Sequence, residues 1–232
     1  MDKSEFDKFA DEYTSILSNN IKITGEKPDF FAEYKIKDTA LIASKNALPS
    51  QPKILDFGGG TGTSVPYFRK HFPQAELTCL DVSEKSIEIA QQRFPKQANY
   101  TVFGGNTIPY PDNSFHIIFT ACVFHHIDAQ HHGQSLKEIF RVLAPGGFFI
   151  VFEHNPYNPL TRKAVNTCPF DENAVLITCK NFKEKLRENG FSNVHAMYRI
   201  FFPKPLAFLR PMEQYMGWLP LGAQYYAIGY KK

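Results

Sequence analysis

The chain alternates short apolar runs with longer segments in which apolar residues recur every three or four positions. Short runs are typical of buried strands, and the wider spacing is typical of helices with one buried face. The runs predict strands over 54–57, 75–80, 100–103, 116–121 and 148–154, with helices over about 63–72, 84–94 and 135–143. This alternation predicts an α/β fold built on a doubly wound sheet with parallel strands.

The two ends of the chain depart from this pattern. Helical spacing predicts two helices before the first strand, over about 4–19 and 29–48. After the fifth strand come an irregular tract over 155–171, a helix over about 180–189, and two strands over 191–202 and 224–231. Because no crossover helix separates the last two strands, they predict an antiparallel hairpin. We therefore expect one structural domain with a seven-stranded mixed sheet. A helical cover or lid spans 1–48, and the sheet domain spans 49–232 with an insertion at about 203–222.

The most informative stretch is ILDFGGGTGTSVPYF, over 54–68, which predicts a strand, a glycine turn and a helix. Such a turn lets a ligand approach the backbone, and the helix that follows offers unpaired N–H groups. The glycines Gly58, Gly60 and Gly62 form G-x-G-x-G, with Asp56 two positions before them. The dinucleotide pattern G-x-G-x-x-G would require a glycine at Thr63. A purely structural turn is the alternative interpretation of this stretch.

Charge and composition exclude several classes of function. The chain has 26 Lys and Arg against 23 Asp and Glu, without a run of like charge, so we expect no nucleic-acid partner. The four cysteines are scattered without a C-x-x-C pair, which predicts buried free thiols, a reducing compartment and no metal site. The amino-terminal residues are polar, and no apolar run reaches the roughly 20 residues that span a membrane. We expect a cytoplasmic protein without a membrane partner; the sequence leaves its oligomeric state open.

Five segments in order resemble the class I S-adenosylmethionine-dependent methyltransferases. They are LDFGGGTG at 55–62, LDVSEKSIEIA at 80–90, GGNTIPYPDNSF at 104–115, FHHI at 124–127 and RVLAPGGFFIV at 141–151. The resemblance covers about 54–153, and the predicted terminal hairpin also fits it. It implies a Rossmann-like methyltransferase fold, S-adenosylmethionine as cofactor, and methyl transfer to a small-molecule acceptor, with oxygen or nitrogen as the favoured acceptor atom.

The resemblance also implies a cofactor site. The methionine part would lie against Gly58, Gly60 and Gly62, with Asp56 and the backbone near Ala121 facing its amino group. The residues implied for the adenosine part are Asp81 on the ribose, and Val82, Asn106 and Thr107 around the adenine. The family often has Asp at the position of Asn106, whose amide oxygen can still accept a hydrogen bond. It usually has Asp at the position of His116, and we interpret that difference as structural.

The acceptor side is predicted from residues near the ends of strands four and five. His154 is the first candidate for a general base, and His126 with its neighbour His125 comes next, with a packed structural histidine as the alternative for His126. The residues predicted to contact the acceptor are Glu153 and Asn155, together with the lid candidates Tyr13, Glu26 and Tyr34. His131 and His132 are expected in a solvated polar loop.

Two other functions compete with this prediction. A nicotinamide-dependent oxidoreductase would use the same type of sheet, but Thr63 and the terminal hairpin speak against it. A non-catalytic S-adenosylmethionine-binding protein is not excluded by any residue. The tripeptide Asn155-Pro156-Tyr157 resembles the nucleic-acid amino-methyltransferase motif, but that motif follows strand four and carries two prolines, so we reject this interpretation.

Overall fold

The computed structural model describes residues 21–232, so the helix predicted over 4–19 and the lid candidate Tyr13 lie outside the described residues. Seven strands form one mixed sheet in the order β3-β2-β1-β4-β5-β7-β6, which confirms the predicted fold class. The strands are β1 Lys53–Phe57, β2 Glu76–Asp81, β3 Asn99–Val102, β4 Phe115–Ala121, β5 Leu143–His154, β6 Ser192–Arg199 and β7 Gln224–Tyr230.

The strand order places a ligand crevice at the centre of the sheet. β1 pairs in parallel with β2 on one side and with β4 on the other, so the chain reverses its direction of winding between β1 and β4. Ligands of such sheets bind outside the carboxyl ends of the strands at this switch point. β7 lies antiparallel between β5 and β6, which confirms the predicted hairpin and brings the first residue of β7 to the same edge.

Helices cover both faces of the sheet. They are α1 Pro28–Ala43, α2 Val65–His71, α3 Glu84–Arg93, α4 His132–Val142, α5 Pro159–Asn166 and α6 Cys179–Glu188. Along β1, Leu55 and Phe57 pack in one apolar cluster and Ile54 packs in the other, on the opposite face. Burial on both faces explains why the central strands are continuous apolar runs in the sequence. The core therefore holds the carboxyl edge of the sheet in a rigid position.

The tract predicted to be irregular contains a helix. α5 begins after Asn158, whose side chain accepts a hydrogen bond from the Thr161 N–H, and Pro159 occupies its first turn. These are favourable helix-start residues, so the prediction of an irregular tract was wrong over Pro159–Asn166. A further 3-10 turn, Pro169–Asp171, follows. The tract thus forms a structured wall beside the carboxyl edge.

Two predicted boundaries are also corrected. The helix predicted to reach residue 48 ends at Ala43. β5 begins at Leu143 and not at Phe148. Leu143 already pairs with Phe115 of β4, and the strand continues through an irregularity at 145–147 before Phe148 pairs with Ile117. Gly146 takes a positive φ of 77° there, a conformation that favours glycine.

The insertion after β6 folds over the carboxyl edge and reaches back to α1. It contains a 3-10 helix, Lys204–Tyr215. Arg199, at the end of β6, donates two hydrogen bonds to Asp38 of α1, at 2.7 and 2.9 Å. Arg210 pairs with Glu26 at 2.6 Å and stacks over the Phe30 ring. Within residues 21–232, none of the helices combines the length and apolar character needed to cross a membrane.

Candidate active site

A cavity of about 290 Å³ opens at the carboxyl edge of the sheet. Its floor comes from the turn after β1 and from the ends of β2, β4 and β5, and its walls come from α1, α5 and the insertion. We call the part around the glycine turn the cofactor half and the part around Cys122 and His154 the acceptor half. The two halves belong to one continuous cavity.

The glycine turn forms the cofactor half. The N–H groups of Gly58 and Gly59 donate to the Leu80 carbonyl at 2.8 and 3.1 Å, which ties the turn to β2. Gly58 has a φ of +75°, and a Cβ at this position would lie 2.4 Å from Val123 Cγ2. Gly60 also has a positive φ, but a Cβ there would have no atom within 4 Å. The turn therefore needs glycine at Gly58 for packing and exposes the backbone of Gly60 to the cavity.

Asp81 closes the cofactor half at the end of β2. Its Oδ2 accepts a hydrogen bond from the Gly60 N–H at 2.8 Å, and its Oδ1 accepts one from the Ser83 N–H at 2.9 Å. A carboxylate has about four lone-pair sites, so both oxygens can accept further bonds from a pair of hydroxyl groups. The two backbone bonds fix the carboxylate toward the cavity, which it lines.

Asp56 is a buried carboxyl with an unsatisfied oxygen. It is 2% exposed, it lines the cavity, and its Oδ2 has no hydrogen-bond partner in the described structure. Burial and the negative charge of Asp81 raise the pKa of Asp56 to about 7, against the opposing charge of Lys35. A buried oxygen without a partner is costly, and a cationic ligand group would satisfy it.

The remaining predicted cofactor residues are divided by the structure. Ala121 lines the cavity. Gly62 does not, since its Cα faces Ala90 of α3, where a Cβ would lie at 3.0 Å. Val82 is buried beside the cavity, whereas Asn106 and Thr107 are exposed side chains outside its lining. The structure thus gathers the predicted ribose residue and the predicted methionine residues other than Gly62, and it leaves Asn106 and Thr107 apart.

Cys122 and His154 form the core of the acceptor half. Cys122 follows β4 with a φ of +60°, which is rare for a residue with a side chain. Its Sγ receives contacts from Lys35 Nζ at 3.6 Å and Gln224 Nε2 at 3.8 Å. Burial raises the pKa of Cys122, but His154 and Lys35 outweigh it and lower the pKa to about 7. Burial lowers the pKa of His154, but the Cys122 sulfur raises it above its ordinary value.

Glu153 and Asn155 lie behind the cavity wall. Glu153 is fully buried and accepts hydrogen bonds from the Phe124 N–H at 2.8 Å and from His125 Nδ1 at 2.5 Å. Asn155 is fully buried and donates to the Pro220 and Gly222 carbonyls. Neither side chain lines the cavity, which corrects the prediction that they contact the acceptor. Their bonds hold the cavity wall in place.

Three more histidines surround this wall. His125 and His126 line the cavity. Their Nε2 atoms lie 3.6 and 3.4 Å, respectively, from Asp171 Oδ1. His132 is buried and donates from Nε2 to the carbonyls of Phe124 and Ile127. The prediction that His132 is solvated was wrong, because α4 begins at this residue and turns it into the core.

The lid candidates also differ from each other. Glu26 lines the cavity and is paired with Arg210. Tyr34 does not line it; its hydroxyl donates to Gln224 Oε1. Tyr34 therefore supports the position of Gln224, whose amide lies between Cys122 and His154.

Sequence reasoning missed four residues of the acceptor half. They are Lys35, Cys122, Asp171 and Gln224. Two of them had a usable signal. Cys122 directly follows a predicted strand, at the edge where ligands bind. Gln224 opens an antiparallel strand, so its first residue lies at that same edge. Lys35 and Asp171 had no such signal.

The geometry agrees with the comparisons to known proteins. A family model described as a methyltransferase domain matches residues 55–151. Residues 55–151 thus form a methyltransferase domain, in the fold of the S-adenosylmethionine-dependent methyltransferases. The ubiquinone/menaquinone biosynthesis C-methyltransferase of Desulfotalea psychrophila is 28% identical over 116 residues, 50% of this chain and 46% of that protein. The demethylmenaquinone methyltransferase of Chlorobaculum parvum is 33% identical over 114 residues, which are 49% of this chain and 46% of that protein. The chain spans about half the length of the curated relatives it matches.

Solved methyltransferase structures share the fold over nearly the whole chain. A possible histamine N-methyltransferase from Thermotoga maritima has a TM-score of 0.67 at 22% identity, and 99% of each chain is covered. A S-adenosylmethionine-dependent methyltransferase from Archaeoglobus fulgidus has a TM-score of 0.66 at 13% identity, covering 88% of this chain and 95% of that one. Both likenesses establish the fold.

The cofactor half fits S-adenosylmethionine, the cofactor of this family. The unsatisfied Asp56 oxygen suits the amino group of the methionine part, the open Gly60 backbone suits its close approach, and the fixed Asp81 carboxylate suits the ribose hydroxyls.

Proposed function

We propose that this methyltransferase transfers the methyl group of S-adenosylmethionine to an oxygen or nitrogen atom of a small, largely apolar acceptor. The observation that carries this proposal is the single cavity that joins the cofactor half to a half with proton-accepting side chains. When bound, S-adenosylmethionine supplies a methyl group on a positively charged sulfur, which is displaced in line by the acceptor atom. The chain must position the acceptor and receive its proton.

His154 and Cys122 are suited to receive that proton. The raised pKa of the imidazole and the lowered pKa of the thiol mean that the pair readily holds one proton as an imidazolium beside a thiolate. The thiolate can accept a second proton. An acceptor hydroxyl or amine would lose that proton as its oxygen or nitrogen forms the bond to the methyl carbon. Gln224 and Lys35 hold the sulfur in place from two other sides.

Apolar side chains support the choice of acceptor. The cavity is walled by apolar groups from three separate elements, among them Phe31 of α1, Leu160 of α5 and Phe201 after β6. Small-molecule sites combine such an apolar lining with a few convergent polar groups. Positioning of the acceptor against the methyl carbon supplies most of the rate enhancement in such a site.

The acceptor of the curated relatives is not carried over to this chain. The family match ends at residue 151, and the walls of the cavity come from α1, α5 and the insertion, which lie outside 55–151. The quinone-pathway names of the relatives are therefore a reason to include hydroquinols among the acceptors tested. They do not define the substrate that we expect.

The test is a methyl-transfer assay with methyl-labelled S-adenosylmethionine. The full chain is incubated with phenols, aliphatic alcohols, amines and hydroquinols of moderate size, and labelled products are identified by mass spectrometry. We expect an O- or N-methylated product whose formation releases S-adenosylhomocysteine. A carbon-methylated hydroquinol would contradict the proposed acceptor atom. Cofactor binding without any product would favour a non-catalytic S-adenosylmethionine-binding protein.

A further inference from the structure

Two histidines and one aspartate converge on the wall of the acceptor half. One ligand atom each from His125, His126 and Asp171 lies within 4.8 Å of the other two. The two distances to Asp171 Oδ1 are 3.4 Å from His126 Nε2 and 3.6 Å from His125 Nε2. Ligands bound to a tetrahedral ion at about 2.0–2.2 Å lie about 3.4 Å apart. The two imidazole–carboxylate distances already match this spacing.

His125 is held in the orientation of a metal ligand. Its Nδ1 donates to Glu153 Oε2 at 2.5 Å, and Glu153 is fixed in turn by the N–H groups of Val123 and Phe124. The His125 side chain is 1% exposed, and its Nε2 has no hydrogen-bond partner in the described structure. A carboxylate on one ring nitrogen and an open position on the other is the usual arrangement of metal-binding histidines.

The charges of the cluster also favour a dication. Glu153 and Asp171 lie on opposite sides of His125, one facing its Nδ1 and the other its Nε2. Two carboxylates carry two negative charges, which a divalent ion held by neutral imidazoles would balance. Two imidazoles and one carboxylate suit zinc, iron and cobalt better than magnesium or calcium.

We propose that His125, His126 and Asp171 form a binding site for a divalent transition-metal ion, with Glu153 as the residue that positions His125. All three ligands line the cavity, so a further coordination position of the ion faces the acceptor half. That position can take an oxygen or nitrogen atom of a bound small molecule. Because the ligands come from two segments far apart in the chain, the sequence pattern predicted no metal site.

The experiment is a metal titration of the full chain after treatment with a chelator. Zinc binding is measured by calorimetry, and cobalt is titrated to follow the ligand-field absorption that an imidazole–carboxylate site produces. We expect one ion per chain. The variants Asp171→Asn and His126→Gln are each expected to weaken binding more than tenfold and to remove the cobalt band. Glu153→Gln is expected to keep one-to-one binding with about 10–100-fold lower affinity.

His195→Gln is the matched control, because this histidine is exposed on β6 and distant from the cluster in the sheet order. It is expected to bind like the wild type. Thermal unfolding of each variant shows that the fold is retained. Absence of saturable one-to-one binding in the wild type would overturn the proposal. So would wild-type affinity in folded Asp171→Asn and His126→Gln. The readout needs no methyl transfer, so it is independent of the proposed acceptor.

Discussion

The two halves of the cavity differ in how the chain builds them. The cofactor half comes from adjacent turns after β1 and β2, and its geometry is fixed by backbone bonds such as that from Gly60 to Asp81. The acceptor half is assembled from side chains as distant in sequence as Lys35, Cys122 and Gln224. A site made by a local motif is visible in the sequence, whereas a site made by tertiary packing is not. Predictions that separate the two halves therefore test the account.

The largest effect is expected in the acceptor half, from His154→Gln. Removal of the imidazole that holds the proton-accepting Cys122 sulfur as a thiolate should lower kcat by about 10²–10⁴-fold, the usual contribution of general acid–base catalysis. The affinity for S-adenosylmethionine should stay unchanged, because His154 belongs to the other half. Steady-state kinetics with the acceptor found in the transfer assay measures both quantities. His195→Gln is the control, and an unchanged kcat in His154→Gln would remove this residue from the proposed mechanism.

In the cofactor half, Gly58→Ala should destabilise the turn. The added Cβ would lie 2.4 Å from Val123 Cγ2 in a conformation with positive φ. We expect a loss of about 1–3 kcal/mol in the free energy of unfolding, as for an overpacked core. Denaturant titration measures it, and Gly104→Ala is the control because its Cβ meets no atom within 4 Å. Equal stability of the two variants would show that the turn is less constrained than described.

Cofactor affinity should depend on pH through Asp56. Burial and the charge of Asp81 raise the pKa of Asp56 to about 7, and the charge of Lys35 opposes this shift. The nearby Cys79 thiol adds no charge, because burial raises its own pKa well above the ordinary value. The cationic cofactor favours the ionised carboxylate, so the affinity should rise by up to about tenfold from pH 6 to 7.5. Calorimetry measures it, and Asp56→Asn should remove the slope.

The same shift has a consequence for stability without cofactor. Because the pKa of Asp56 is higher in the folded chain than in the unfolded chain, its contribution to stability is present below about pH 4 and is lost as the pH rises through about 7. A cofactor-free stability that rises across this range in wild type relative to Asp56→Asn would contradict the assignment.

The smallest effect is expected at the lid. Arg210→Gln breaks the pair with Glu26 and the contact with the Phe30 ring. Because both charged side chains keep some solvent contact, the loss should be about 0.2–1 kcal/mol, seen as a rise of a few-fold in acceptor KM. Lys53→Gln, which removes an exposed pair with Glu76, is the control and should leave KM unchanged. A change in the affinity for S-adenosylmethionine without a change in acceptor KM would show that Arg210 acts on the cofactor half and not on the acceptor half.

The fold, and the meeting of four polar and glycine positions at one edge of the sheet, were predictable from the sequence for a physical reason. Strand periodicity and the glycine turn are local signals, and the strand order follows from the rules of parallel sheets. Asp56, Gly58, Gly60 and Asp81 meet in the structure as their positions at strand ends predicted. Asn106 was placed by resemblance alone, and the structure leaves it exposed.

The acceptor half was predicted only in part, because burial decides which face a polar residue takes. His154 lines the cavity, but its neighbours Glu153 and Asn155 point away and satisfy backbone groups. Alternation of side chains along β5 explains how Glu153 and His154 take opposite sides. Lys35 lies on the buried side of α1, where a sequence pattern would place an apolar residue.

The most direct test of the two-part cavity is a calorimetric titration of S-adenosylmethionine into wild type, Asp81→Ala and His154→Gln. We expect Asp81→Ala to lose at least one charge-assisted interaction with the ribose, about 1.5–3 kcal/mol or more than tenfold in affinity. We expect His154→Gln to bind S-adenosylmethionine with wild-type affinity. Equal losses in both variants, or retained binding in Asp81→Ala, would contradict the division of the cavity into a cofactor half and an acceptor half.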